Sequence, residues 1–183
     1  QEMEARLADN PRDRIARANL LVHCYAHGFD SPESADQYAT HLLYMIQEFP
    51  DSSLLQMVEA RPDSLTHPRA WHQGRTLWLS QIVERPEPLV FRNAAEFFFI
   101  GEPSQAEAIL KEGFSLEPEK AHWPDKLAML YQLKLRRLTG EEFRDAARQA
   151  LAYKLQAMDR KTDISESDYA DLAEFALEAE DLI

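Results

Sequence analysis

Apolar residues recur along this chain three and four positions apart, the spacing of a helix that buries one side. Ile15, Ala18, Val22 and Tyr25 form the first such stripe and predict a helix that stops at Gly28. Ser31-Pro32-Glu33 then reads as an N-cap, a first-turn proline and a first-turn acid. The helix it opens carries Ala35, Tyr38, Leu42, Ile46 and Phe49 and ends at Pro50. A weaker stretch, Leu54 to Ala60, predicts a short helix before the Arg61-Pro62-Asp63 break. Thr66 is the expected cap of the next helix, which bears Trp71, Trp78 and Ile82 and ends at Pro86 and Pro88. Beyond it the pattern predicts helices over Leu89–Ile100, Ser104–Leu116, Trp123–Leu138 and Glu141–Met158. Ser165, with Asp168 three residues on, resembles a capping box that opens a last helix through Leu172, Phe175 and Leu177. Gln1 to Ala8 reads as one further helix at the start.

No segment alternates with the period of two that a half-buried strand needs. Glycine is scarce, with five in 183 residues, whereas there are ten prolines. Prolines are tolerated at helix boundaries and not inside, and here they fall where the periodic stripes break. The expected fold is therefore all-α, with about eight or nine helices arranged as antiparallel pairs.

A 34-residue register organises the middle of the chain. Leu89, Ala94 and Phe97 return as Trp123, Ala128 and Tyr131, each 34 positions later. Counted from Glu87, small residues stand at the eighth, twentieth and twenty-seventh places as Ala94, Ala106 and Gly113. Phe97 takes the eleventh place, Leu110 the twenty-fourth and Pro118 the thirty-second. This pattern resembles the tetratricopeptide repeat, a helix pair of that length. The best-matching units are 87–120 and 121–159, with the second helix of the latter delayed by about seven residues so that Ala147 and Leu151 take its later places. Residues 11–50 match more loosely. The resemblance implies an α–α superhelix over 1–183, a single repeat domain expected to be a fragment of a longer array.

It also implies a concave groove lined by the first helix of each pair. Carried over, the groove positions are Phe91, Ala95, Phe98 and Phe99, then His122, Asp125, Met129, Gln132 and Leu133, with Asn19, His23 and His27 from the loose first unit. Phe91, Phe98, Phe99, Met129, Leu133, Asn19, His23 and His27 are the candidate partner-binding residues. Of the run Phe97-Phe98-Phe99, Phe97 is assigned to the core and the other two to the groove. Phe91 and Ala95 stand where the members of this family that clamp a terminal carboxylate need lysine and asparagine, so that activity is not expected.

Charge narrows the partners. The formal net charge of −12 repels phosphate and disfavours nucleic acid. The distribution is uneven: Lys126 to Lys161 holds nine bases and four acids, and Thr162 to Ile183 eight acids and no base. The expectation is a basic helix pair partly neutralised by an acidic last helix. Cys24 is the only cysteine, so no intrachain disulfide forms. No apolar run reaches the ~20 residues of a membrane span, and no targeting segment is visible, which leaves the compartment open between cytoplasm and export. His23 and His27 share a helix face, yet no third ligand accompanies them, and no nucleophile or phosphate-loop motif occurs. The sequence thus predicts no enzyme and no cofactor. It predicts a scaffold that binds a protein or peptide, with a structural or self-associating segment of a larger, exported protein as the alternative.

Overall fold

Asp13 builds the first helical hairpin. Helix α1 (Glu2–Asp9) ends at Asn10, whose side chain accepts from the Arg12 amide at 3.2 Å. Helix α2 (Arg14–His27) is then capped by Asp13, which accepts from the Ala16 amide at 2.9 Å. Arg6 of α1 bonds the same carboxylate and locks the turn. The computed structural model describes residues 2–27 and 31–180, except for the side chains of Glu178 and Glu180, so the expected stop at Gly28 lies outside the described residues. Helix α3 (Pro32–Glu48) starts as its sequence dictates, with Pro32 at the first position and Ser31 accepting from the Ser34 amide at 3.2 Å.

Between α3 and the next helix the chain makes two short 3-10 turns, Ser53–Gln56 and Val58–Ala60, where the sequence predicted a short α-helix. A stretch without a regular helix leaves carbonyls that must be satisfied some other way. Tyr38 donates to the Glu59 carbonyl at 2.7 Å, and Arg61 to that of Gln56 at 2.9 Å. Helix α4 (Pro68–Glu84) begins after His67, not Thr66, because Pro68 fixes the first helical residue. Helix α5 is Pro88–Phe98. Its fully buried Asn93 donates to the carbonyls of Pro50 and Ser52 at 2.7 and 2.9 Å, pinning the stretch before the 3-10 turns from the other side.

Helix α6 is Pro103–Leu116 and α7 is His122–Leu135. They pack through one close approach: a Cβ on Gly113 would lie 2.4 Å from Trp123 Cη2, so the small residue the repeat calls for is sterically required. Helix α8 (Gly140–Arg160) follows a four-residue link, 136–139, entered through Gly140 at φ +61°. The seven-residue delay is thus no inserted loop. Against their counterparts, α7 runs on by three residues and α8 reaches Ala147 one turn later. Seven residues are close to two helical turns, so Ala147 and Ala150 still face the core. Helix α9 (Glu166–Glu180) opens with the expected capping box, Asp168 accepting from the Ser165 amide at 3.0 Å and Ser165 Oγ from that of Asp168 at 3.3 Å.

The described residues form nine α-helices and no strand, an all-α fold of helix pairs. Four of these helices begin with a proline at or beside the first position. The chain divides into two compact units, Gln1–Glu102 and Pro103–Ile183. That boundary falls between α5 and α6, inside the best-matching repeat, where the sequence read one continuous array.

Candidate binding site

The aromatic run of α5 belongs to the core of the first unit. Phe91 and Phe98 are fully buried, which corrects their assignment to an open groove. The reason is that α5 is covered on two sides, by α4 and by the stretch its Asn93 holds. Trp71 of α4 stacks on Phe97 with centroids 4.9 Å apart and planes 7° from parallel, and Phe98 meets Phe97 edge-on at 5.2 Å. Gly74 admits the Phe97 ring, since a Cβ there would lie 3.0 Å from it; at Gly101 it would lie 2.3 Å from Trp71. Phe99 is half-buried at the C-cap of α5. Trp71 and Trp78 are core, as expected.

Asn19, His23 and His27 are exposed on α2. The two imidazoles lie 4.7 Å apart, and no group of three metal-ligating side chains occurs among the described residues.

In the second unit two of the five α7 positions assigned to the groove, Asp125 and Gln132, are engaged by α8 and α9. Asp125 binds Lys154 Nζ at 3.0 Å, and Asp171 of α9 binds the same ammonium at 3.1 Å. Burial disfavours the Lys154 charge, but the bonds to both carboxylates prevail and raise its pKa. Gln132 reaches Glu174 of α9 at 3.4 Å. Lys161 pairs with Asp168, whose carboxyl is held well below the usual range by that lysine and by Ser165. The acidic last helix therefore does neutralise the basic pair, at the C-terminal half of α8. Met129 stays 45% exposed.

Leu133 is the assigned residue that lines a cavity. It borders a cleft of about 540 Å³ formed by the start of α6, the end of α7 and the start of α8. Pro103, Leu133, Leu138 and Ala146 supply its apolar lining. One wall carries a network centred on Glu107, which accepts from Lys111 and from Tyr131 Oη at 2.6 Å each and binds Lys134. Burial pushes the Glu107 carboxyl up, yet the three donors outweigh it and hold it at about 2. The same site pushes the Tyr131 phenol up to about 12, through burial first and the Glu107 hydrogen bond second. Tyr131 is accordingly half-buried, not sealed like Phe97. The sequence reading missed this cleft. Glu107 and Lys111 are a legible i, i+4 pair, but the bridges to Tyr131 and Lys134 span 24 and 27 residues.

The helices themselves define the class, an all-α fold of helix pairs. Neither a family model nor a curated protein sequence matches the chain. Among solved structures, a human IFIT1 dimer with PPP-AAAA is similar at 20% identity and a TM-score of 0.47. The match covers 92% of this chain and 42% of that one, so the chain spans less than half of the neighbour's length.

Proposed function

We propose that this chain is a non-catalytic scaffold that binds a protein or peptide, with its binding site at the cleft of α6, α7 and α8. The observation that supports the reading is the cleft itself, an apolar concavity beside charged groups already fixed by hydrogen bonds. Such a surface anchors a partner side chain at little ordering cost. The net charge of −12 favours a protein partner over nucleic acid. Selection of a random twelve-residue peptide library against the intact chain tests it. Selected peptides are expected to lose about tenfold or more in affinity with Leu133→Ser, the helical circular dichroism and melting remaining those of the parent. Peptides that bind both forms equally would count against the cleft. A second reading, self-association, is favoured by the exposed Tyr169 and Leu177 of α9. Molar mass that rises with concentration in light scattering, and returns to monomer with Tyr169→Glu, would support it.

A further inference from the structure

We propose that residues 61–67 form a strap over the Trp71–Phe97 pair, and that a proton on the His67 ring unlatches it. The strap lies in the first unit and does not depend on the cleft being the binding site.

The strap joins the second 3-10 turn to α4 and belongs to no helix. It is pinned near its two ends and open to solvent between them. Pro62 and His67 are buried, whereas Asp63, Ser64, Leu65 and Thr66 are exposed. At the first end Arg61 donates to the Gln56 carbonyl at 2.9 Å and pairs with Glu96 of α5 at 2.8 Å. Next to this pin Arg61, Pro62 and Asp63 close one side of a cavity of about 100 Å³, and Trp71 and Phe97 form the other. The strap thus covers the aromatic stack without filling the space beside it, so little packing holds it down there.

At the second end the latch is a cluster of rings. The His67 imidazole, 3% exposed, packs on Tyr25 of α2 and Tyr38 of α3 with centroids 5.6 and 4.5 Å away. Its Nδ1 lies 3.0 Å from Thr66 Oγ1. The charged groups near this seat are already engaged. Glu59, in the second 3-10 turn, presents its carbonyl to the Tyr38 hydroxyl. Asp63 accepts from the Leu65 and Thr66 amides at 2.8 and 3.1 Å, and Arg69 of α4 binds Asp36 of α3 at 3.0 Å. Burial lowers the His67 pKa, and the attraction of Asp63 only partly offsets it. The tyrosine faces attract a cation less than burial penalises it. A base lowered on burial favours the closed strap above its ordinary 6.5, and that preference is lost as pH falls through the lowered value. The imidazolium gains water by leaving its seat, while Arg61 still holds the other end.

Amide exchange of the intact chain by NMR, at about pH 7.5 and about pH 5 and corrected for intrinsic rates, tests this alongside titration of ring-labelled histidines. The amides of Thr66, His67 and Trp71 report on the latch, because they donate to Asp63 Oδ1, the Asp63 carbonyl and the His67 carbonyl. Their protection is expected to fall about tenfold at the lower pH; an open-state imidazole of ordinary pKa sets a ceiling of roughly thirtyfold. The His67 ring should titrate with the same midpoint, below its ordinary value, and Trp71 should become open to hydroxyl-radical modification at the lower pH only. His67→Gln should leave protection flat with pH. His41→Gln, at the other imidazole that burial lowers, should leave the parent's response in place. Protection that does not change with pH, a His67 ring that titrates at or above its ordinary value, or a response that persists in His67→Gln overturns the proposal. So does an equal loss of protection throughout α2 to α5, which would be global unfolding. If His67→Gln lacks the parent's helical circular dichroism, the match between ring titration and exchange in the parent decides alone.

Discussion

Phe91, Phe97 and Phe98 on α5 occupy the same places in the 34-residue register as Asp125, Tyr131 and Gln132 on α7. On α5 the three rings are buried. On α7 an acid binds Lys154, a phenol binds Glu107 and an amide reaches Glu174. The two helices share a backbone pattern and differ in what their sides meet. The repeat spacing fixes which positions pair within a hairpin. The neighbours fix whether the remaining positions become core, ion-pair network or open cleft. One hydroxyl, at Tyr131, keeps the α7 ring at the edge of the second unit, where it forms a wall of the cleft.

The largest expected effect breaks or upholds that contrast directly. Phe97→Ala should cost roughly 3–5 kcal/mol, because it empties the seat between Trp71 and Gly74. Tyr131→Ala, at a half-buried position, should cost about half as much. Urea unfolding followed by circular dichroism measures both, and equal losses would mean that the two positions are energetically the same. Next comes Gly113→Ala, expected to cost about 1–3 kcal/mol by forcing Trp123 from its place. An unchanged midpoint there would show that α6 and α7 are not held at this close approach.

A third effect sharpens the electrostatic side of the comparison. The Glu107 carboxyl is held at about 2, below its usual range near 4.5. A carboxyl lowered on folding contributes stability above its unfolded pKa, and the contribution disappears as pH falls through its folded pKa. After solvent screening, roughly 1–2 kcal/mol should be lost between about pH 5 and pH 2. Glu107→Gln should remove that part of the acid sensitivity; identical pH profiles for parent and variant would contradict the network. The smallest effect is at a cap. Ser165→Ala should cost about 1 kcal/mol, read as faster amide exchange in the first turn of α9, and unaltered exchange would show that the box contributes little.

Local signals were the legible part of this fold. Pro32 opens a helix, Ser31 and Ser165 cap helices, and Gly113 is small where a tryptophan crosses it. Each depends on a few adjacent residues or on one contact the repeat register already implied. The site was legible only in part. Leu133 lines the cleft, but Phe91 and Phe98 do not, because α5 is covered by the preceding helix α4 and by the stretch at Pro50 and Ser52, which the repeat register does not specify. Nothing in a run of three phenylalanines says that Asn93 will tie Pro50 and Ser52 against the same helix.

Hydroxyl-radical footprinting of the intact chain, alone and with a selected peptide, tests the central claim that the aromatic run is core and the α6–α7–α8 cleft is the binding surface. The account predicts no modification of Phe91 or Phe98 in either state. Leu133 and Leu138 should be modified in the free chain and protected by the peptide. Modification of Phe98 in the free chain, with protection on binding while Leu133 stays unchanged, would contradict it.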